Sequence, residues 1–293
     1  MNSESEPAPI RHAYAKQVLN TARINDVRLE HAFATIPREH FLGEGPWQIF
    51  HPGVGYIETA DSNPAQVYVD QPIALLPARQ LNNGQPSLHA ILLAHAGIRN
   101  GDQVVHIGAG TGYYTALMSY LAGESGHVTA IEFDPELTLR ARTALVTYPN
   151  VSVLQGDGGE MAVERADVIY VNAGVTRPAN NWLNALNVGG RLIIPFTTDA
   201  NFASASQSAR AVERPTISGA YFSIRRSETG FDAQGLLPTA IIPAVTLRDE
   251  QSEAALAAAF KRGGWQHVKH LVVGEDAHRH TCWVSGHGWA LTL

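Results

Sequence analysis

Two kinds of hydrophobic pattern divide this chain. Between Arg11 and Phe41, apolar residues recur at the three- and four-residue spacing of amphipathic helices until Pro37 interrupts the pattern. From about Pro86 onward, short continuous Val/Ile runs alternate with helix-like segments. Continuous apolar strands that alternate with helices are typical of a parallel sheet buried on both faces. The pattern therefore predicts an α/β fold that is preceded by N-terminal helices.

The alternating region supplies the elements of the predicted sheet. Its predicted strands are Gln103–Ile107, His127–Glu132, Val151–Gln155, Ala166–Asn172 and Arg191–Pro195, and its predicted helices are Pro86–Ala96, Tyr113–Ala122, Pro135–Thr147 and Trp182–Leu186. Further along the chain, Tyr221–Arg226 and Leu237–Ala244 predict a terminal strand pair. Two segments have no periodicity: 43–64, before the alternating region, is predicted to be an irregular loop, and 201–214, before Tyr221, a surface insertion.

Composition and charge exclude several classes of protein. The chain has 293 residues and is 45% hydrophobic, which is enough for a sizeable core. Its formal net charge of −6 and scattered basic residues predict neither a nucleic-acid partner nor an anionic membrane surface. No segment approaches the roughly 18 continuous apolar residues of a membrane span. The single cysteine, Cys282, and a polar start without a signal-peptide pattern lead us to expect a cytoplasmic protein.

The strongest chemical signal lies between the strand that ends at Ile107 and the helix that begins at Tyr113. A turn of the form G-x-G-x-G connects them, and its residues are Gly108, Ala109, Gly110, Thr111 and Gly112. Glycines allow the backbone to approach a ligand closely. The helix start that follows offers N–H groups and a positive dipole end to a polar or anionic group. The turn predicts a nucleotide-type binding site.

Two acidic residues indicate which nucleotide the turn binds. Glu132 ends the second strand about twenty residues after the turn, where a carboxylate is expected to accept hydrogen bonds from ribose hydroxyls. Asp157 lies between Gly156 and Gly158 after the third strand, where it is expected to accept from the exocyclic amine of adenine. The glycine spacing differs from the G-x-G-x-x-G of dinucleotide sites. Together with the predicted terminal strand pair, these features favour S-adenosylmethionine over NAD.

Further segments give the chain a specific family resemblance. They are 33–41 (FATIPREHF), 68–73 (YVDQPI), 84–90 (GQPSLHA), 156–158 (GDG), 171–173 (VNA) and 188–195 (VGGRLIIP). In order and spacing they resemble the motifs of the protein-L-isoaspartate O-methyltransferase family. The resemblance implies a Rossmann-like class I methyltransferase sheet flanked by helices, with N-terminal helices and a small C-terminal extension. It divides the chain into an N-terminal arm (1–80), an S-adenosylmethionine-dependent methyltransferase core (81–246) and an extension (247–293).

The same resemblance implies roles for individual residues toward the cofactor, S-adenosyl-L-methionine. The turn residues Gly108, Ala109, Gly110, Thr111 and Gly112 would hold its methionine end, Glu132 its ribose, and Asp157 with Gly158 its adenine. Gln85, Pro86 and Ser87 would lie over the methyl group, and His89 would face the same site. We infer a methyltransferase that acts on a carboxylate, most plainly that of L-isoaspartyl residues in damaged proteins or peptides, as in protein repair.

Two departures from the family pattern bear on this inference. His106 stands before the glycine turn where the family usually has an acidic residue, which predicts a changed contact to the methionine ammonium. On the acceptor side, Asn82, Asn83 and Gly84 replace the family's T-I-S, whose hydroxyl residue lies beside the substrate carboxylate. Amides in this segment would orient a carboxylate through N–H donors, but Asn-Asn-Gly is also good turn chemistry.

These departures leave other functions open. One alternative is a methyltransferase of the same fold that acts on a dedicated peptide or a small metabolite. Another is a binding module that keeps the fold without catalysis.

One further motif could suggest a metal site. The alternation of His278, His280 and Cys282 resembles a soft-metal site. However, its spacing matches no common zinc pattern, and strand alternation also places ordinary surface residues on one face. We predict no metal site.

Overall fold

The computed structural model describes residues 8–199, 217–274 and 281–293, which separate by their contacts into two units. The first unit comprises Met1–Asp102 and Ala109–Gln155. The second comprises Gln103–Gly108 and Gly156–Leu293. The boundary between them crosses the glycine turn, so that Gly108 belongs to the second unit and the residues from Ala109 to Gly112 belong to the first.

The described part of the first unit contains five α-helices. They are α1 (Ala8–Ala22), α2 (Val27–Thr35), α3 (Pro86–Ala96), α4 (Tyr113–Ala122) and α5 (Pro135–Ala144). Helix α2 begins at the N-cap Asp26, whose side chain accepts from two backbone N–H groups, and α5 begins similarly at Asp134. Pro86 and Pro135 occupy first-turn positions, where a missing N–H costs no helical hydrogen bond. Local capping chemistry therefore explains where these helices begin.

Short strands complete the first unit. They are β1 (Gln48–His51), β2 (Gly55–Glu58), β3 (Ala74–Leu76), β4 (Leu81–Asn82), β6 (His127–Glu132) and β7 (Val151–Gln155). Strands β6 and β7 pair in parallel, with Glu132 opposite Gln155 at their carboxyl ends, whereas β1–β2 and β3–β4 are antiparallel hairpins. In the core of this unit the buried ring of Phe33 packs edge to face against Tyr14 and Tyr113, and the buried ring of Phe41 packs at a tilt against Tyr113.

The second unit is built on a mixed sheet. Its strands are β5 (Gln103–Ile107), β8 (Ala166–Val171), β9 (Leu186–Thr197), β10 (Gly219–Arg226), β11 (Phe231–Pro238), β12 (His270–Val273), β13 (Cys282–Gly286) and β14 (Trp289–Thr292). They lie in the order β5-β8-β9-β10-β11-β12-β14-β13. The first three are parallel, and from β9 onward each neighbouring pair is antiparallel. The parallel strands are apolar and almost wholly buried, as their Val/Ile runs predict.

Helices α6 (Asn180–Ala185) and α7 (Glu250–Arg262) belong to the same unit. Helix α7 packs its Phe260 against the ring of Trp283 on β13. Further buried rings contact one another across the sheet: Phe196 on β9 stacks on Trp289 on β14 and lies edge to face with Phe222 on β10. The C-terminal segment is therefore joined to the sheet through strand pairing and an aromatic core.

The structure corrects the predicted strand pair. Its first strand is confirmed as β10, but the second is Phe231–Pro238 and not Leu237–Ala244. Most of the predicted strand lies beyond Pro238, the last residue of β11, and contains a second proline, Pro243, which lacks the N–H that a sheet requires. The pair is also not terminal, because β12 pairs with β11.

The predicted irregular loop at 43–64 is wrong in part, because it contains the hairpin of β1 and β2. The turn His51-Pro52-Gly53-Val54 connects the two strands, and Phe50 packs its ring against Tyr56 across the pair. The predicted surface insertion at 201–214 lies outside the described residues. Among the described residues, no helix is both long and apolar enough to cross a membrane.

Candidate functional site

The glycine turn of the first unit is fixed by one buried carboxylate. Glu132, at the end of β6, accepts a hydrogen bond from the backbone N–H of Gly110 at Oε2 (2.7 Å). Its other oxygen, Oε1, accepts from the N–H of Asp134 (2.9 Å), the residue that caps α5. Burial raises the pKa of Glu132 above its ordinary value of 4.5, against the lowering effect of these two backbone bonds. One side chain thus holds both the turn and the start of the next helix.

The turn leaves little space for side chains. A Cβ at Gly112, whose φ is +96°, would lie 2.6 Å from Cδ1 of Leu145. In the second unit, a Cβ at Gly108, with φ of +73°, would lie 3.0 Å from the carbonyl oxygen of Asn172. Both positions therefore require glycine for conformation and for space. Packing within each unit thus accounts for both glycines, and the predicted contact of the turn with a ligand stays a prediction.

A second carboxylate holds the start of α3, where Gln85, Pro86 and Ser87 lie. Asp70 accepts from the backbone N–H of Ser87 at Oδ1 (2.7 Å) and from the side-chain amide of Gln85 at Oδ2 (3.3 Å). A carboxylate at a helix N-terminus is stabilised by the helix dipole. Asp70 therefore orients two residues for which the family resemblance implies a place over the cofactor's methyl group.

Arg38 fixes the segment that carries Asp70. Its guanidinium is completely buried and donates to the carbonyls of Val67 (2.7 Å), Val69 (2.7 Å) and Gln71 (2.8 Å). It also donates to the side-chain oxygen of Asn83 (3.4 Å). Three of the four acceptors lie on either side of Asp70 in the chain, so the cation determines the path of the loop that presents this carboxylate.

The acceptor-side segment of Asn82, Asn83 and Gly84 forms a hydrogen-bonded turn. The side-chain oxygen of Asn82 accepts from the N–H of Gly84 (2.9 Å), and that of Asn83 accepts from the N–H of Ile73 (2.8 Å). Asn83 is buried, and its Nδ2 has no hydrogen-bond partner among the described residues. The oxygens of both amides are therefore used within the protein, and the predicted use of their N–H groups stays a prediction.

In the second unit, Asp157 and Gly158 lie beside the strand that leads into the glycine turn. Asp157 accepts at Oδ1 from the N–H of Gly159 (2.9 Å) and from the hydroxyl of Thr246 (2.7 Å). A Cβ at Gly158 would lie 2.6 Å from Cγ2 of Ile107, the residue directly before Gly108. The unit therefore brings Gly108, Asp157 and Gly158 to the same end of β5.

His106 is completely buried in β5 and packs edge to face against the ring of Tyr170. Burial lowers its pKa to about 3, so the imidazole is neutral at physiological pH. A neutral group therefore occupies the position at which the resembled family usually has an acid.

Sequence reasoning gave no role to three residues that the structure places at the site. Arg38 and Asp70 lie within motifs that carry the family resemblance, and this position in a motif is the feature of the sequence that could have indicated a role for them. Tyr114 stacks on His89 and had no such signal, because an aromatic residue in an apolar helix is typical of a core position. Among the described residues, no group of three or more His, Cys, Asp or Glu side chains is placed to hold a metal ion, and His278 and His280 lie outside the described residues.

Comparison with known proteins gives a consistent result. A family model described as protein-L-isoaspartate(D-aspartate) O-methyltransferase matches residues 12–222. The protein-L-isoaspartate O-methyltransferase of Ignicoccus hospitalis is 32% identical over 218 residues, which are 73% of this chain and 87% of that protein. The enzyme of the same name from Koribacter versatilis is 35% identical over 176 residues, 59% of this chain and 69% of that protein.

Solved structures show the fold. A protein-L-isoaspartate O-methyltransferase structure superposes with a TM-score of 0.62 and 23% identity, over 91% of this chain and 75% of that one. A Plasmodium falciparum protein in complex with S-adenosyl-L-homocysteine superposes with a TM-score of 0.59 and 14% identity, over 80% of this chain and 97% of that one. The predicted fold class, a Rossmann-like methyltransferase sheet with helices, is confirmed.

Proposed function

We propose that this chain, which belongs to the protein-L-isoaspartate(D-aspartate) O-methyltransferase family, transfers the methyl group of S-adenosylmethionine to the carboxylate of L-isoaspartyl residues in proteins or peptides. The match extends over the cofactor turn and the acceptor-side segment alike. The observation that carries the proposal is the buried Glu132 carboxylate bonded to the N–H of Gly110. It supports a preformed turn that is ready to receive a ligand beside a carboxylate.

The residues present fit S-adenosylmethionine. Glycines 108 and 112 leave backbone where a side chain would collide, and Glu132 ends β6 beside the turn. We propose that Gly108, Ala109, Gly110, Thr111 and Gly112 hold the methionine end, Glu132 the ribose, Asp157 and Gly158 the adenine, and Gln85, Pro86, Ser87 and His89 the region of the methyl group. We also propose that the chain divides into an N-terminal arm (1–80), a methyltransferase core (81–246) and a C-terminal extension (247–293).

The main role of the protein in this reaction is to position the two reactants. When bound, S-adenosylmethionine supplies a methyl group that its sulfonium already activates. An acceptor carboxylate with an ordinary pKa of about 4 is ionised at neutral pH and needs no general base. Correct placement of two reactants supplies several powers of ten in rate. The buried contacts of Asp70 and Glu132 therefore act by holding the start of α3 and the glycine turn in fixed positions.

A peptide assay tests this proposal. We expect the protein to transfer labelled methyl groups from S-adenosylmethionine to an isoaspartyl peptide and to leave the matched aspartyl peptide unlabelled. The label should be lost in mild base, because a methyl ester hydrolyses there and an N-methyl or ether product does not.

The changed acceptor-side segment, Asn82 to Gly84, favours a second candidate, a methyltransferase for a dedicated peptide or a small metabolite. Binding of S-adenosylmethionine by calorimetry without transfer to the isoaspartyl peptide would support that candidate and contradict the first. Failure to bind S-adenosylmethionine would contradict both.

A further inference from the structure

Gly84 lacks a side chain, and another residue fills the space where one would lie. A Cβ built on Gly84 would be 2.3 Å from Nε2 of His89. His89 lies in the first turn of α3 and is 1% exposed. Helical side chains tilt toward the helix N-terminus, so the imidazole points back toward the residues that precede α3. The φ of Gly84 is +74°, which also disfavours other residues there.

The imidazole is itself held by a second ring. Tyr114 stacks on His89 with ring centroids 3.5 Å apart and an interplanar angle of 16°. The Tyr114 hydroxyl donates a long hydrogen bond to the carbonyl of Gly84 (3.5 Å). Tyr114 lies in the first turn of α4, two residues after the end of the glycine turn at Gly112. The ring pair thus connects the acceptor-side segment to the helix that begins at the cofactor turn.

We propose that His89 and Tyr114 are positioning residues that fix the acceptor-side segment relative to the glycine turn. This inference rests on the proposed methyl transfer to a peptide carboxylate. The segment contains Gly84 at the position of a serine in the pattern that it resembles, so it has no side chain there to hold itself in place. The imidazole of His89 occupies that space. Tyr114 contacts both groups, because its ring stacks on the imidazole and its hydroxyl donates to the Gly84 carbonyl.

A shift of the segment by about 1 Å costs roughly 100-fold in rate, because transfer of the methyl carbon from the sulfonium sulfur to the acceptor oxygen requires near-attack geometry. We therefore expect His89→Ala and Tyr114→Leu each to lower kcat/KM for the isoaspartyl peptide by about 100-fold. Tyr114→Phe keeps the stack and loses a long hydrogen bond, so it should cost less than about fivefold. The dissociation constant for S-adenosylmethionine should change by less than about threefold in the two Tyr114 variants. The double variant His89→Ala/Tyr114→Leu should have a kcat/KM no lower than that of the less active single variant, because each substitution disrupts the same stack.

The same helix offers a matched control. His31 and Tyr120 also stack (6.0 Å, 24°), and Nδ1 of His31 is hydrogen-bonded to the Tyr120 hydroxyl (2.7 Å). His31→Ala and Tyr120→Leu remove an exposed pair of the same composition and should leave kcat/KM within about twofold of the wild type. Thermal unfolding of every variant checks that the fold is retained.

Hydrogen exchange gives a readout that does not depend on turnover. The amide of Gly84, which donates to Asn82, should exchange faster in His89→Ala and Tyr114→Leu, while that of Gly110 should not. Unchanged exchange at Gly84, additive losses in the double variant, or a parallel rise in the dissociation constant of Tyr114→Leu for S-adenosylmethionine would each overturn the inference. An inactive wild type would instead contradict the proposed function, and the exchange result would still decide the positioning role.

Discussion

Glu132→Gln weakens the binding of S-adenosylmethionine by about 100-fold in our expectation. The carboxylate accepts from the N–H groups of Gly110 and Asp134, and both bonds are charge-assisted. A glutamine keeps the volume but has one acceptor oxygen, so its amide N–H₂ faces one of the two backbone donors. The variant loses one charge-assisted hydrogen bond and leaves one backbone N–H without an acceptor. Together these cost about 3 kcal/mol, which is roughly 100-fold in a dissociation constant.

Calorimetric titration of S-adenosylmethionine into the wild type and the variant measures this effect. The control is Glu136→Gln, which removes an exposed carboxylate four residues further along, in the first turn of α5. We expect the control to bind within about twofold of the wild type. A dissociation constant for Glu132→Gln within threefold of the wild type would show that the carboxylate does not organise the turn.

The pH dependence of binding provides an independent check on the same carboxylate. Burial raises the pKa of Glu132 above 4.5, so its protonation begins at a higher pH than that of an exposed glutamate. Because a protonated carboxyl cannot accept from both N–H groups as before, the dissociation constant should rise as the pH falls through this pKa. The folded state binds this proton more tightly than the unfolded state, so the contribution of Glu132 to stability rises as the pH falls. Binding and stability therefore change in opposite directions, and Glu132→Gln should lose both dependences.

The sequence predicts the parts of this fold that depend on local pattern. Continuous Val/Ile runs predict the parallel strands β5 and β8. Glu132 is predicted as a candidate ligand-binding residue because it ends β6, and ligands bind at the carboxyl ends of the strands in such sheets. The position of β11 could not be predicted in the same way. Its residues alternate on an only partly buried strand, and the neighbouring apolar run contains two prolines. There the tertiary pairing with β10 and β12, which no local pattern contains, decides the outcome.

Contacts between distant residues were equally invisible in the sequence. A histidine five residues after a glycine gives no sign that its ring fills the space of the missing side chain, and the motif that contains Arg38 gives no sign of the carbonyls that its guanidinium binds. Both contacts join residues from separate segments of the chain: Arg38 with the loop around Asp70, and His89 with Gly84 and Tyr114. The family motifs indicated that these positions matter, but only the structure shows what they touch.

Arg38→Met is expected to lower the free energy of unfolding by about 3–5 kcal/mol. Methionine fills much of the same space but leaves the carbonyls of Val67, Val69 and Gln71 without their donor. Each buried acceptor without a partner costs about 1–3 kcal/mol, and partial rearrangement recovers some of the sum. The substitution also removes the cation from between the rings of Tyr14 and Tyr113, which lie 5.9 and 6.0 Å from the guanidinium carbon. Arg38→Lys keeps the charge with a single nitrogen, so it should fall between methionine and the wild type.

Urea unfolding of the variants measures this loss, and Arg142→Met is the matched control. Arg142 is exposed and donates to one carbonyl, that of Val153 (3.2 Å), so its replacement should cost less than about 0.5 kcal/mol. Under conditions where Arg38→Lys is still folded, its kcat/KM should fall, because the loop that carries Asp70 no longer holds Gln85 and Ser87 in place. If Arg38→Met unfolds within 1 kcal/mol of the wild type, the carbonyls flanking Asp70 have other donors, and the cation does not determine the path of that loop.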